Sequence, residues 1–429
     1  MGYSQLYEIK DWGPVISRLI LSAGKKLTAA PLDPALFSVT VKRSDPRVSQ
    51  ADIAREVFLP EAKRQVKAAY ISDAQGNKAD SGSHITLELA SSPDTPQASP
   101  MNYYNGRNVW LECTHSIVYH GKKGGAVGDT EGVEFNIIDE KAEKTYRPQL
   151  EKFNLNGKLS YTDQEYGKLT LTYADYRPAG AHSLSALPLI IWLHGFGEGG
   201  TDPSITIAAN KACNFASPHI QHLFGGEAFV LVPQSPTFWM DIDVLDPRDP
   251  RDHAFGSVNT SKYTRVLKNL IDVYLEENPG IDRRCIYVGG ASNGGFMTQV
   301  LIQEYPDFFA AAFPVCSAAQ DSRVTDKQIK SIRHLPIWFV NAASDPVVSP
   351  SKNSFATYER LCQLGAPHVH YSLPKEVVDK SGKYAGKNGQ SYVYSGHASW
   401  IYVYNNDLYE EFDGEKVGIL EWLARQRKK

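Results

Sequence analysis

Hydrophobic and polar positions follow two different rhythms along this chain. Over roughly the first 150 residues, short β-rich runs recur at Leu36–Val41, Val66–Ile71, His84–Leu89 and Asn108–Cys113. In the third run Ile85, Leu87 and Leu89 alternate with Thr86 and Glu88, the period-2 mark of a strand with one buried face. Asp73-Ala74-Gln75-Gly76-Asn77 and Ser91-Ser92-Pro93-Asp94 place turn formers between the runs. Short strands separated by polar turns predict an all-β sandwich of immunoglobulin-like architecture, although the Cys…Trp…Cys spacing of antibody domains is missing. Ala54 to Lys67 reads as a short helix or a long connection. Gly121 to Thr130 reads as a glycine-rich loop or tip, and Val133–Ile138 as one more strand.

Beyond that point strands and helices alternate. Leu169–Tyr173, Pro188–Leu193, Phe229–Pro233, Cys285–Val288, Ala310–Val315 and Pro336–Val340 read as strands, and Thr260 to Leu275 as an amphipathic helix. The continuous apolar runs fit a mostly parallel central sheet flanked by helices, because such strands are buried on both faces. The boundary falls near Gln149-Leu150-Glu151, dividing the chain into domains 1–150 and 151–429. Functional groups in an α/β sheet collect at the carboxyl ends of its strands, so the motifs should cluster there.

Length and composition add limits. A chain of 429 residues suits two domains, and 42% hydrophobic with 22% charged residues describes an ordered globular protein. A net charge of −3 gives no electrostatic case for nucleic acid or an anionic membrane. The run Leu187–Leu193 has strand length, not membrane-spanning length. Met1-Gly2-Tyr3-Ser4-Gln5 lacks a signal sequence, as in a cytoplasmic chain or a secreted one whose signal has been removed. Five scattered cysteines read as buried free thiols, and neither C-x-x-C nor H-E-x-x-H occurs, so no metal is expected. The first domain carries no recognisable chemistry. It reads as a shield or a shaping element for the neighbouring site, ahead of a dedicated binding module, with a homo-oligomer contact left open.

The chemistry gathers around Gly290, Ser292 and Gly294, a G-x-S-x-G run between the strand ending at Val288 and a helical pattern of Phe296, Met297, Val300 and Leu301. Strand, sharp turn with a serine at its tip, then helix is the context of a nucleophile elbow. The turn strains Ser292, so its neighbours two residues away must be small. The helix start directs unpaired N–H groups at any anion formed beside the serine. Upstream, Gly195, Gly197 and Gly200 spell G-x-G-x-x-G behind a strand. A dinucleotide reading fails there, because the next strand runs into Pro233-Gln234 instead of an acidic residue for the ribose. The remaining reading is an oxyanion loop, with the N–H of Phe196 (Gly197 as second choice) and that of Asn293 as donors. In it His194 ties the loop down and Glu198 orders the glycines.

A nucleophilic serine needs a base, and the base an orienting acid. Asp345 follows directly on a predicted buried strand, whereas Asp321, Asp326 and Asp379 lie in polar segments. For the base, His368 and His370 sit on a predicted edge strand, where a histidine is solvated surface; His397 sits in the small-residue loop Ser395-Gly396-His397-Ala398-Ser399-Trp400. Ser292, Asp345, His397 is the chain order of α/β-hydrolases. Phe238, Trp239, Phe296 and Trp400 neighbour these pieces in sequence and read as walls of an acyl or aromatic pocket. Asp241 to His253 reads as an inserted solvated loop that could narrow the mouth of the site.

The stretches LPLIIWLHGFGEGGTD (187–202), VGGASNGGFMT (288–298), NAASDPVV (341–348) and SGHASW (395–400) resemble α/β-hydrolase esterases of the polyhydroxybutyrate-depolymerase-like group. The whole chain is similar to the bacterial carboxylesterases of that group with an N-terminal immunoglobulin-like domain. The resemblance implies a Ser292–His397–Asp345 triad, hydrolysis of short-chain acyl esters through an acyl-enzyme, and no metal or organic cofactor. A carbohydrate esterase (acetyl-xylan or feruloyl) and a serine peptidase would use the same triad. A glycan-binding protein with a silent hydrolase fold is the non-enzymatic alternative.

Overall fold

The structure, a computed structural model, describes residues 2–28, 32–121, 135–182, 186–241 and 259–428. The chain divides into two compact units, Met1–Glu151 and Lys152–Lys429. The glycine-rich run from residue 122, the first two residues of the strand predicted from Val133, and the insertion from residue 242 lie outside the described residues.

The first unit is built from two main sheets. One orders its strands Lys144–Tyr146, Tyr3–Lys10, Gly13–Thr28, Ser81–Leu89, Val66–Ser72; the other Asn136–Glu140, Glu112–Tyr119, Phe37–Ser44, Glu61–Arg64. Strict alternation in Phe37–Ser44 buries Phe37, Val39, Val41 and Arg43 on one face. Phe37, Val39 and Val41 form one apolar core with Leu19, Leu21, Ile85, Leu87 and Ile117. The first two strands escape the sequence pattern for opposite reasons. Tyr3–Lys10 buries tyrosines and a glutamine, not an aliphatic row, while Gly13–Thr28 is buried on successive positions along its first half and so shows no alternation. Two further expectations need correction. Within Ala54 to Lys67 the helix stops at Ala54, having started at Gln50 behind its Ser49 cap, and the rest contains the strand Glu61–Arg64 and the start of Val66–Ser72. Asn108–Cys113 is not one strand: Arg107–Trp110 pairs with Met101–Tyr104 as a separate hairpin, and Glu112–Tyr119 joins the four-stranded sheet.

The second unit holds an eight-stranded sheet in the order Asn154–Asp163, Gly167–Tyr176, Phe229–Gln234, Leu187–Leu193, Ile281–Ala291, Ala311–Val315, Ile337–Val340, Val369–Ser372. The first two strands run antiparallel to their neighbours, and from Phe229–Gln234 onward all pairings are parallel. Helix Thr264–Glu277 turns Val266, Leu267, Leu270, Ile271, Tyr274 and Leu275 inward, a 3.6-residue stripe. It starts later than the pattern suggests because the Lys262 N–H bonds the Asp241 carbonyl, holding that residue outside the helix. Helix Asn293–Glu304 has no polar face: eleven of its residues are buried, Phe296 and Leu301 completely. Truncating Leu301 to alanine in such a core costs about 2–5 kcal/mol. Among the described residues no helix is long and apolar enough to cross a membrane.

Register decides where the loops emerge. Leu193 lies opposite Gly290, Ala291 opposite Val315, and Val315 opposite Val340. Four strands therefore end in line, and the segments after Leu193, Ala291, Val315 and Val340 leave from one edge of the sheet. This is an α/β-hydrolase fold.

Candidate active site

At that edge Ser292 adopts φ 57° and ψ −111°, a conformation side-chain-bearing residues rarely occupy, at a cost of about 1–3 kcal/mol. Hydrogen bonds fix it from both sides. Its N–H donates to the Val315 carbonyl at 2.9 Å, and its own carbonyl accepts from Phe296 N–H at 2.9 Å and Ala318 N–H at 3.1 Å. The flanking glycines are steric requirements. A Cβ on Gly290 would lie 2.7 Å from the Leu193 carbonyl oxygen, and one on Gly294 only 1.9 Å from the same atom. The elbow thus packs directly against the strand that feeds the glycine loop.

Asp345 sits in the turn after Ile337–Val340, its side chain wholly inaccessible to solvent. Its Oδ1 accepts from Val347 N–H at 2.8 Å and Val348 N–H at 3.0 Å, so the carboxylate shapes its own loop. The His397 Nδ1 stands 3.0 Å from Oδ1 and 2.9 Å from Oδ2. A carboxylate there selects the Nδ1–H tautomer and leaves Nε2 free to accept a proton. His397 rides on the short turn Gly396–Ala398, and a Cβ on Gly396 would meet the Ser344 carbonyl oxygen at 2.4 Å. That close approach is what brings the histidine loop onto the aspartate loop. The Trp400 ring lies edge-on to the imidazole at 5.5 Å. Among the described residues the Ser292 hydroxyl makes no hydrogen bond to this ring. The pieces meet instead around Cys316, whose Sγ, an Asp345 carboxylate oxygen and a His397 ring nitrogen all lie within 4.8 Å of one another.

Cys316 is a residue that sequence reasoning treats only as a buried thiol. It directly follows the strand Ala311–Val315 with φ 36°, and its N–H donates to Val340 O at 2.7 Å. Burial first, and then the nearby Asp345 charge, push its thiol pKa well above the ordinary value, so it remains a neutral thiol at pH 7. The available signal was its place, one residue past a strand whose neighbours also end in chemistry. Cys113, Cys213 and Cys285 are also buried, but Cys362 is exposed, against the sequence expectation.

The glycine loop is held from within. Buried Glu198 accepts from Gly195 N–H through Oε2 at 2.7 Å and from Asn210 Nδ2 through Oε1 at 3.0 Å. His194 donates from Nδ1 to the Gly195 carbonyl at 2.6 Å and accepts at Nε2 from Ser235 N–H at 3.1 Å. Both of its ring nitrogens engage backbone groups. Phe196 opens the short turn Phe196–Glu198. Asn293 is the first residue of its helix, where a backbone N–H has no intrahelical acceptor. Its side-chain Oδ1 accepts from Trp239 N–H at 2.6 Å.

Two of the predicted pocket walls are corrected by burial. Trp239 and Phe296 are completely buried and cannot face a substrate. Trp239 is a strut: its indole N–H donates to His194 O at 3.1 Å while its backbone is bonded to Asn293, joining the glycine loop to the elbow. Phe296 faces inward because its whole helix is enclosed. Phe238 and Trp400 are half-buried, and Phe238 packs against Phe196 with ring centres 5.1 Å apart. His368 is exposed. His370 is not solvated surface as expected; it pairs with Glu410 at 2.8 Å and is packed by Trp338, Phe412 and Trp422.

A parallel sheet with a strained serine at one strand end and a carboxylate–imidazole pair at the same edge defines the α/β-hydrolase class. Residues 181–375 match the family described as Phospholipase/Carboxylesterase, and residues 2–132 match the Esterase Ig-like N-terminal domain. The second unit thus carries a phospholipase/carboxylesterase match within the α/β hydrolases, and the first unit an esterase immunoglobulin-like match ahead of it. Poly(3-hydroxyalkanoate) depolymerase C of Paucimonas lemoignei is 29% identical over 128 residues, which is 30% of this chain and 27% of that protein. The match therefore spans about a quarter of that relative's length. The crystal structure of a thermostable esterase is similar in fold, with a TM-score of 0.72, 23% identity, and 99% of each chain covered.

Proposed function

We propose that this protein is a serine carboxylesterase that hydrolyses short-chain acyl esters through an acyl-enzyme. The observation that carries the reading is the 2.9 Å Asp345–His397 contact at the sheet edge where Ser292 is held in its strained turn. In the first step His397 Nε2 takes the Ser292 proton as Oγ attacks the ester carbonyl. The backbone N–H groups of Phe196 and Asn293 receive the developing oxyanion, each such donor contributing about 3 kcal/mol to the barrier reduction. His397 then protonates the departing alcohol, and in the second half activates water to release the acid. Asp345 holds the imidazole tautomer and stabilises its cation. Rotation of the Ser292 and His397 side chains on substrate binding closes the serine–imidazole contact, which in unliganded enzymes is commonly long.

A hydroxycinnamoyl ester, the feruloyl reading, is favoured by one observation: half-buried aromatic rings gather on the loops of this edge, Trp400 against His397 and Phe196 against Phe238. Relative kcat/KM for p-nitrophenyl acetate and a methyl hydroxycinnamate decides between the two. Ser292→Ala tests the shared mechanism. It is expected to lower hydrolysis of p-nitrophenyl acetate by roughly 10^4-fold or more with the fold intact, and undiminished hydrolysis would remove Ser292 from the mechanism.

A further inference from the structure

Cys316 stands among the reacting groups but has no part in the acyl transfer. Its sulfur, a carboxylate oxygen of Asp345 and a ring nitrogen of His397 are mutually within 4.8 Å. One thiol, one imidazole and one carboxylate make a donor set suited to zinc and its softer congener cadmium, and poorly suited to magnesium or calcium. We propose that these three side chains form an inhibitory binding site for a thiophilic divalent cation, Zn2+ or Cd2+.

The geometry needs little adjustment. Donor atoms around a tetrahedral zinc stand roughly 3.5 Å apart, given Zn–S near 2.3 Å and Zn–N or Zn–O near 2.1 Å. The three donors already lie within 4.8 Å of one another, with the carboxylate 2.9 Å from the imidazole Nδ1, so reaching that spacing takes shifts of about an ångström or less. The ligands sit on three separate loops. Cys316 is anchored by its N–H bond to Val340 O, and Asp345 by the two amides it accepts. His397 is the adjustable member and the way in, because its side chain is 16% accessible while that of Asp345 is closed to solvent. On binding, metal–sulfur, metal–nitrogen and metal–oxygen bonds form, the thiol proton leaves to solvent, the neutral imidazole keeps its one proton on the ring nitrogen that does not bind the metal, and no oxidation state changes. The imidazole so held is turned from its base position. This last consequence rests on the triad reading above; the binding itself does not.

The test is a Cd2+ titration of the full chain carrying Cys362→Ser, which removes the exposed thiol. Two signals are followed together: the ultraviolet thiolate-to-cadmium charge-transfer band and hydrolysis of p-nitrophenyl acetate. The expected result is a band that saturates at one equivalent while hydrolysis falls with the same midpoint, and Zn2+ displaces the signal. Adding Cys316→Ser, or Cys316→Ala if the serine variant does not fold, abolishes the band and raises the inhibitory concentration by more than about tenfold. His397→Ala weakens the band comparably without reference to activity. No band, or inhibition unchanged in both Cys316 variants, overturns the site. A full band with undiminished hydrolysis upholds the site and instead overturns the role given to His397.

Discussion

Replacing Asp345 by asparagine separates the two tasks of that side chain. Its Oδ1 caps two backbone amides, Val347 and Val348, and both oxygens face His397 Nδ1 at 2.9–3.0 Å. Asparagine can keep the cap only by leaving its carbonyl oxygen on the amides and turning its NH2 toward the ring. The imidazole must then accept at Nδ1, which moves its proton to Nε2 and, on the mechanism proposed above, removes the base. A wrong tautomer of this kind lowers kcat by roughly 10^4-fold, about 5.5 kcal/mol of activation free energy. Stability should change little, because the two capping bonds survive. Asp345→Ala, by contrast, strands both amides and should cost about 1–3 kcal/mol for each that is left unsatisfied. The assay is p-nitrophenyl acetate turnover beside urea unfolding for both variants. Asparagine with near-normal stability and near-normal turnover would refute the argument, since the carboxylate would then be only a turn former.

Three further outcomes follow from the geometry. Gly294→Ala places a Cβ 1.9 Å from Leu193 O, a backbone clash that cannot be relieved by a rotamer; it should destabilise by about 1–3 kcal/mol and abolish turnover, read by thermal unfolding and ester hydrolysis. Glu198→Ala releases the Gly195 N–H that shapes the Phe196 turn, and should lower kcat by up to about 100-fold while leaving KM nearly unchanged. His115, fully buried in the first unit, has its pKa pushed down to about 3 by burial and then by Arg64. Its unfolded form binds a proton below about pH 6.5 and the folded form does not. That contribution to stability is therefore complete above pH 6.5 and is lost at about 1.4 kcal/mol per pH unit as the pH falls towards 3. Urea unfolding at pH 7 and 5 measures the slope, and His115→Gln should flatten it.

What was legible in the chain is what local sterics and periodicity dictate. Gly290 and Gly294 announce the elbow because nothing larger fits against Leu193, and the buried strands of the second unit are continuous apolar runs for the reason that both faces are covered. Asp345 and His397 could be chosen because each follows a recognisable strand or small-residue loop, and Gly396 shows why that loop must be small. The misses are facts of direction and adjacency. Trp239 and Phe296 neighbour the motifs in sequence, yet nothing in sequence says which way a side chain points, and both point into the core. Cys316 looks like core filler until the register of three parallel strands sets it beside Asp345. In the first unit, Tyr3–Lys10 hides its buried face behind Tyr3, Gln5 and Tyr7, so hydropathy gives no alternation to read.

The most direct measurement is labelling of the intact protein with a fluorophosphonate, followed by mass spectrometry of the peptide that carries the adduct. The account predicts one adduct per chain, on the oxygen of Ser292, absent in Ser292→Ala and strongly slowed in His397→Ala. An adduct on another residue, or labelling of Ser292 at full rate without His397, would contradict it.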